Sequence, residues 1–415
     1  MTVISSKPRQ RLAVLEAVRG IAALIVVFHH LAYSFWPQAL HSHSPWRSLL
    51  DGSFAVTIFF VLSGIVLSIA FFECPSTEGL ADSAIRRYFR LTLPVLTTVM
   101  LGYLLLRSGV FANVTAAAAL GSESHQWFSR FYTFLPNFRE ALKEGTYRVY
   151  FDYRSSHSYN AVLWTMGVEL YGSLFVLAFL ALFGGLRRRW LVYCIVAVIL
   201  HAHWPYTMNF LVGLAMCDFY VRYRRSQPCW ELGTVVGTIM MVAGLFVGSG
   251  LPGWFGDWVG SSLPSRRLEC QCLGALLIIS AVLFCPFWKR VLEFSWFTWL
   301  GRVSFSLYLV HHLVLCSLGS QMFLLLRREW GFRAAALTSA GAVVMVSLLA
   351  AWGMAGTVDR WSIALGRRAS QFFRMSSREI HTRLMTDIVV SSHMRNVVVL
   401  RAIRTAFRFL VKPIR

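Results

Sequence analysis

The sequence predicts an all-α integral membrane protein: a bundle of about ten transmembrane helices with a long non-cytoplasmic loop and a basic cytoplasmic tail. Of its 415 residues, 56% are hydrophobic and only 14% are charged, whereas soluble domains carry about 25% charged residues. A single soluble core stops growing at about 250–300 residues, so this much apolar surface would not all be hidden from water. Ten segments also reach, or nearly reach, the roughly 20 apolar residues that cross a bilayer.

The ten apolar segments follow one another up to residue 356. The fifth and sixth are short, and His201-Ala-His-Trp-Pro205 between them leaves open whether they form one broken span or two. No small-residue cleavage site follows the first segment, so we expect it to remain attached as a helix. The segments are 12–33, 53–72, 88–106, 161–183, 190–204, 206–221, 232–249, 272–287, 303–326 and 334–356.

The basic residues explain a net charge of +21 in so apolar a chain. Such a charge also suits a nucleic-acid-binding protein, so the positions of the charges must decide. With ten crossings and a cytoplasmic N-terminus, each cytoplasmic segment before the tail carries three basic residues, as the positive-inside rule requires. This pattern predicts a multi-pass membrane protein with both termini in the cytoplasm, and it argues against nucleic acid as a partner. Arg327, Arg328 and Arg333 are exceptions that this topology places outside.

The chain divides into a cytoplasmic head (1–11), a transmembrane domain (12–356) and a basic tail (357–415). Because the tail mixes Arg with Val, Leu, Ile and Phe, it either lies on the anionic surface of the bilayer as an amphipathic segment or is disordered. The long loop 107–160 is polar and aromatic. It contains Asn113-Val-Thr115, a glycosylation sequon if the loop faces a lumen.

The cysteines do not indicate a metal site. The chain has eight, and none forms a CxxC pair. Cys270 and Cys272 lie close in sequence but have no His or second Cys pair nearby, so zinc binding is not predicted. We interpret the cysteines as small apolar side chains.

Ionisable residues occur inside the first apolar segment, where they are costly and usually functional. At 100° per residue, Arg19 and His30 face within about 20° of each other and lie about 16 Å apart along the helix, whereas His29 is about 80° away. Glu16 precedes Arg19 by three residues and can pair with it. This spacing fits a channel wall with a cation near its inner mouth and a base farther in. The same spacing fits equally well an Arg side chain that extends to the lipid headgroups and two histidines that lie at the membrane interface.

Two further charged sites lie near other segments. Glu169 begins a strongly apolar run, so it needs a partner, for which Arg19 or His30 would serve; alone, it could be a charge favoured at a helix N-terminus. Arg87 and Arg90 are three residues apart on one helix face, which suits a phosphate clamp. They would equally anchor the topology, as the other basic loops do.

A fourth polar group lies in the ninth segment. Ser304, Tyr308 and His311 follow one another at spacings of four and three residues, so they share one helix face. Polar groups left without partners in an apolar medium are costly. We therefore expect this face to point into the bundle.

Five motifs occur in order over about residues 12–355: Arg19-Gly-Ile-Ala-Ala…His30, Phe59-Phe-Val-Leu-Ser63-Gly64…Ser68, Arg87-Tyr-Phe-Arg90-Leu-Thr-Leu-Pro94, Leu163-Trp164…Glu169 and Ser304-Phe-Ser306-Leu-Tyr308-Leu-Val-His311. Each of them resembles a motif of the acyltransferase family 3 of membrane proteins. Glu16 stands where that family usually has Asp, and Thr165-Met166-Gly167 replaces its usual Ser-Leu-Ser. We expect no room for the esterase-like domain of some members, so the essential residues are expected within the bundle and the 107–160 loop.

The resemblance implies an O-acyltransferase that moves an acyl group, often acetyl, from acyl-CoA to a hydroxyl of a small-molecule, lipid or sugar acceptor. Acyl-CoA would be a co-substrate, and no permanently bound cofactor is expected. His30 and Glu169 would be catalytic, with His30 either a general base or a covalent acyl carrier. The other implied residues are Arg19, Arg87 and Arg90 for acyl-CoA, and Ser63, Ser68, Ser304, Tyr308 and His311 along the path or at the carbonyl oxygen.

Two other functional classes fit parts of the pattern. A transporter or exporter would suit ten spans with intramembrane charges. No inverted repeat is visible, however, and a basic clamp at one mouth suggests a phosphorylated co-substrate. A receptor or scaffold with a lipid-binding tail is the third class. Substrate flux without acyl-CoA would favour the transporter, and deletion of the tail would test the scaffold.

Overall fold

The computed structural model describes residues 8–41, 44–77, 79–121, 127–227, 231–250 and 267–374, and the regular secondary structure of these residues is helical, with no strand among them. Six helical segments are long and apolar enough to cross a membrane. The all-α class is therefore confirmed, and the six candidate spans support a membrane protein, whereas the count of ten crossings stays a prediction. The basic tail beyond residue 374 lies outside the described residues, so its expected amphipathic or disordered state is not addressed.

The helices are numbered in chain order. Helices cover all ten apolar segments of the sequence, and short helices also occur within the described part of the 107–160 loop. They are α1 (Pro8–Phe35), α2 (Gly52–Glu73), α3 (Leu80–Arg107), α4 (Asn113–Leu120), α5 (Phe138–Lys143), α6 (Val149–Phe151), α7 (Trp164–Phe183), α8 (Arg189–His203), α9 (Pro205–Ser226), α10 (Thr234–Ser249), α11 (Arg267–Phe284), α12 (Pro286–Leu292), α13 (Ser295–Val314), α14 (Ser320–Gly356) and α15 (358–374).

The fifth and sixth segments form separate helices, α8 and α9. The break is at Trp204, whose φ of −140° and ψ of 66° are not helical. A proline disfavours the helical conformation in the residue before it, and Pro205 opens α9. The dipeptide Trp204-Pro205 is therefore the physical reason for two helices.

The loop between α3 and α7 is packed rather than open. The side-chain amide of Asn113 is buried and donates to the backbone carbonyls of Phe128 (2.8 Å) and Phe131 (3.0 Å). An amide nitrogen engaged in this way is not free to carry a glycan. The interpretation of Asn113-Val-Thr115 as a glycosylation site is therefore wrong for the folded chain.

Glu144 is a buried carboxylate in the same loop, outside the candidate membrane spans. It accepts hydrogen bonds from the Ser158 hydroxyl (2.6 Å) and the Tyr159 backbone N–H (3.1 Å). Burial is the largest effect and raises the pKa of Glu144 from 4.5 to about 7, although these hydrogen bonds oppose the rise. The loop therefore contains a carboxylate that titrates near neutral pH.

Because of Glu144, the free energy of unfolding should fall as the pH rises. A raised folded-state pKa adds stability that is fully present below the unfolded pKa and is lost as the pH rises through about 7. Between about pH 5 and pH 8, we expect the wild type to lose roughly 2–3 kcal/mol of unfolding free energy relative to Glu144→Gln. Thermal unfolding in detergent across this range measures the gap. Glu140→Gln is the control, since Lys143 and Arg148 lower the pKa of Glu140. Parallel curves for Glu144→Gln and wild type would contradict the prediction.

Glycines bring α1 and α13 into close contact. A Cβ atom at Gly20 would lie 2.5 Å from the Gly301 nitrogen, and one at Gly301 would lie 2.3 Å from the Glu16 carbonyl oxygen. Small residues allow such backbone approach in membrane bundles. This contact fixes Arg19, next to Gly20, opposite the start of the Ser304 motif.

We expect Gly301→Ala to separate α1 from α13. The added methyl meets backbone rather than a flexible side chain, so the cost should be at least about 2 kcal/mol. A lower melting temperature in detergent would show this. Gly353→Ala is the matched control, because a Cβ there has nothing within 4 Å and alanine favours helix. Equal melting temperatures for the two variants would show that the glycine contact is not needed.

Candidate active site

A cavity of about 290 Å³ lies among α1, α2, α3, α7, α13, α14 and α15. Its wall combines apolar side chains with an excess of positive charge, and such a lining attracts an anion that also has an apolar part. The charged groups of the lining are Arg19, Arg87, Arg90, Arg302, Arg360, Glu16, Glu169 and Asp359.

Glu169 is held by an ion pair with Arg87 in the cavity wall. The two side chains are 13% and 12% exposed. Glu169 also accepts from the Ser63 hydroxyl (2.8 Å), and Arg87 donates through Nε to Ser173 (2.8 Å). The expectation that Arg19 or His30 pairs with Glu169 is therefore corrected. Arg87 takes this place because α3 and α7 pack side by side.

The other arginines of the cavity are available to a ligand. Within the described ranges, Arg19, Arg90, Arg302 and Arg360 have no ion pair or hydrogen bond, and the expected Glu16–Arg19 pair is not formed. Arg90, Arg302 and Arg360 are exposed and line the open mouth, whereas Arg19 is half-buried. Arg87 and Arg90 therefore do not act as the predicted phosphate-binding pair. Arg87 is paired with Glu169, and Arg90 has no ion pair or hydrogen bond in the described ranges.

Hydroxyl groups line the inner part of the cavity. Tyr308 donates to the Val162 carbonyl (2.9 Å) and lies 3.0 Å from the Thr165 hydroxyl. Ser304 donates to the Gly301 carbonyl (2.7 Å). Ser304 and Tyr308 are both buried, so the structure places this face of α13 in the bundle interior.

His30 and His311 form a hydrogen-bonded pair one turn beyond Tyr308, outside the residues that line the cavity. His30 Nδ1 lies 2.8 Å from His311 Nε2, and the two rings stack. His311 Nδ1 lies 3.1 Å from the Leu307 carbonyl, which can only accept. We therefore assign the proton of His311 to Nδ1, so its Nε2 accepts from His30 Nδ1–H. His30 Nε2 is left with a free lone pair.

His29 has a different hydrogen-bond partner from this pair. Its Nδ1 lies 2.7 Å from the Leu50 carbonyl. The ring centroids of His29 and His30 are 5.6 Å apart, but of the two only His30 bonds His311.

Ser68 lies away from the cavity. Its hydroxyl donates to the Gly64 carbonyl of its own helix (2.7 Å), and it is fully buried. Five residues along a helix rotate a side chain by about 140°, so Ser68 cannot share the face of Ser63. The structure brings Ser63 into the site and leaves Ser68 out.

Sequence reasoning missed Arg302, Asp359 and Arg360. All three line the cavity, and Asp359 accepts a hydrogen bond from Ser306 (3.0 Å). Arg302 was assigned to topology and the other two to the tail. Two signals were available: Arg302 precedes Ser304 by two residues, and Asp359 is an isolated acid at the start of a basic segment.

A bundle of apolar helices around an arginine-lined cavity is suited to a membrane protein that binds an anionic ligand. The family model Acyl_transf_3, described as "Acyltransferase domain", matches residues 12–354. The chain therefore belongs to the acyltransferase 3 family, and it is an enzyme that transfers acyl groups other than aminoacyl groups.

Two curated proteins are similar to the chain at low identity. The O-acetyltransferase PaAT-1 of Phomopsis amygdali is 27% identical over 371 residues, which cover 74% of this chain and 72% of that protein. Acyltransferase clz18 of Cochliobolus lunatus is 23% identical over 416 residues, which cover 77% and 85%. No solved structure matches the chain with comparable significance.

Proposed function

We propose that this membrane acyltransferase transfers an acyl group, most simply acetyl, from acyl-CoA to a hydroxyl of a small-molecule, lipid or sugar acceptor. One observation carries the proposal: four arginines without partners among the described residues line a cavity that leads toward the His30–His311 pair. The name of the relative from Phomopsis amygdali supports acetyl as the group.

The donor would enter with its phosphates at the mouth. CoA carries its phosphates at one end and its thioester at the other. Arg90 at the mouth and Arg19 farther in, which both line the cavity, would bind the phosphates through charged hydrogen bonds. The uncharged arm then runs along apolar side chains such as Phe59 and Met166 toward Tyr308. The thioester carbonyl would thus approach His30.

His30 would act through Nε2. As a general base, it removes the proton of the acceptor hydroxyl while the oxygen attacks the thioester carbonyl. The C–S bond breaks, and the proton passes from His30 to the thiolate, which gives the ester and free CoA. As an acyl carrier, Nε2 attacks the thioester and the C–S bond breaks to release the CoA thiolate; the acceptor hydroxyl then attacks the acyl group, the N–C bond breaks, and the hydroxyl proton passes to the thiolate. In both routes His311 orients the ring of His30, and the Glu169–Arg87 pair shapes the wall and balances its charge.

The topology follows from the same proposal. Acyl-CoA is cytoplasmic, so the mouth with Arg302 and Arg360 would face the cytoplasm, with ten crossings and both termini on that side. Cys74, an exposed residue between α2 and α3, would then react with an impermeant thiol reagent from the cytoplasmic side only.

The experiment for the activity is acetyl transfer in membranes that contain the chain. Isotope-labelled acetyl-CoA is added with candidate hydroxyl acceptors, and product is detected as a mass shift of the acceptor. Membranes without the chain are the control. No label on any acceptor, together with acceptor flux that needs no acetyl-CoA, would replace this proposal by the transporter.

A further inference from the structure

We propose that α15, the helix over residues 358–374, completes the donor site, with Arg360 and Arg302 as ligands for the nucleotide end of acyl-CoA. This inference rests on the proposed function. It concerns a segment that lies beyond the residues 12–354 matched by the family model. The helix α15 is fixed across the cavity mouth, its charged residues line that mouth, and these charges suit a nucleotide.

Contacts near both ends fix α15 against the bundle. Near its start, Asp359 accepts a hydrogen bond from Ser306 of α13 (3.0 Å). At its end, Arg374 forms an ion pair with Asp82 of α3. Between them, a Cβ atom at Gly366 would lie only 3.3 Å from the Arg86 carbonyl oxygen. The helix therefore spans from α13 to α3 and forms a wall of the cavity.

Two arginines approach the mouth from different helices. Arg302 is on α13, Arg360 is on α15, and both line the same cavity. Both are exposed, and neither has an ion pair or hydrogen bond within the described part of the chain. Guanidinium groups in this state are suited to phosphate, which they bind through two parallel hydrogen bonds.

Asp359 indicates a nucleotide rather than a bare phosphate. One of its carboxylate oxygens accepts from Ser306, but the other is buried with no hydrogen-bond partner in the described ranges. A carboxylate beside a phosphate site needs a neutral N–H or O–H donor, because two anions repel each other. The hydroxyl groups of a ribose and the amino group of an adenine are such donors. Phosphates and these donors occur together at the nucleotide end of CoA.

The test compares two donors with and without the nucleotide. With Arg360→Gln, we expect the KM for acetyl-CoA to rise about tenfold, because one charged hydrogen bond is lost. The KM for acetyl-pantetheine, which ends before the nucleotide, should not change. Arg368→Gln is the matched control on the same helix, since Arg368 is exposed and does not line the cavity. Both of its KM values should equal those of the wild type.

The outcomes separate this inference from the proposed function. An equal rise in KM for both donors would mean that Arg360 only supports the fold, and an unchanged KM for acetyl-CoA would mean that it binds nothing; either result overturns the inference. If the wild type transfers acetyl from neither donor, the proposed function fails, and CoA binding to the purified full chain is measured instead by calorimetry. Weaker CoA binding by Arg360→Gln than by Arg368→Gln supports the site. Equal binding, or none by the wild type, overturns it.

Discussion

His30→Ala is expected to lower the rate of acetyl transfer at least about 100-fold, because the lone pair at His30 Nε2 either accepts the proton or carries the acyl group. The hydrogen-bond chain from the Leu307 carbonyl through His311 to His30 fixes that lone pair in the neutral pair. The measurement is the initial rate of ester formation in membranes with equal amounts of each protein. A melting temperature near that of the wild type would show that the loss is chemical.

The neighbouring histidine provides the control. His29 bonds the Leu50 carbonyl on another side of α1, so His29→Ala should reduce the rate by only a few-fold. His311→Ala should lie between the two, because His30 keeps its ring but loses the partner that sets its tautomer. Full activity of His30→Ala would rule out this mechanism. Complete inactivity of His29→Ala alone would show that the reactive side chain of α1 is His29 instead of His30.

Helical periodicity explains why part of the site could be predicted from the sequence. The 100° step along a helix separates His30 from His29 and groups Ser304, Tyr308 and His311, and it needs no tertiary information. The same step shows why Ser68 could not join Ser63. These assignments required only that the segments be helices, which the apolar composition already indicated.

The contacts between helices could not be predicted in this way. The basic residue that pairs with Glu169 depends on how α3 packs against α7. From the sequence alone, the positive-inside rule was already a sufficient explanation for Arg87. Arg302 and Arg360 could not be predicted as ligands for the same reason. A basic residue near the cytoplasmic face can either set the topology or bind an anion, and the sequence does not distinguish the two. Only the cavity that they share distinguishes a ligand site from a topology signal.

Glu169→Gln is expected to have the second large effect, on stability and on activity together. It leaves the Arg87 guanidinium largely buried without its counter-ion, at a cost of about 3 kcal/mol. A glutamine can still accept from Ser63, so the loss would come mainly from charge. Unfolding in detergent should show the lower stability. The rate should fall because Arg87 then turns toward the other charged groups of the cavity.

The double variant Arg87→Gln/Glu169→Gln separates the two roles that remain open for Arg87. Removal of both charges leaves no unpaired ion, so the double variant should be more stable than the sum of the single losses predicts, by about 1–3 kcal/mol. Strictly additive losses would contradict the coupling. Asp152→Asn, in the exposed pair with Arg154, is the control and should cost less than about 1 kcal/mol.

If Arg87 only forms part of the cavity wall, the double variant regains a KM for acetyl-CoA near that of the wild type. If Arg87 also binds a phosphate, the double variant regains stability but its KM for acetyl-CoA stays high, because the folded cavity then lacks one of its cations.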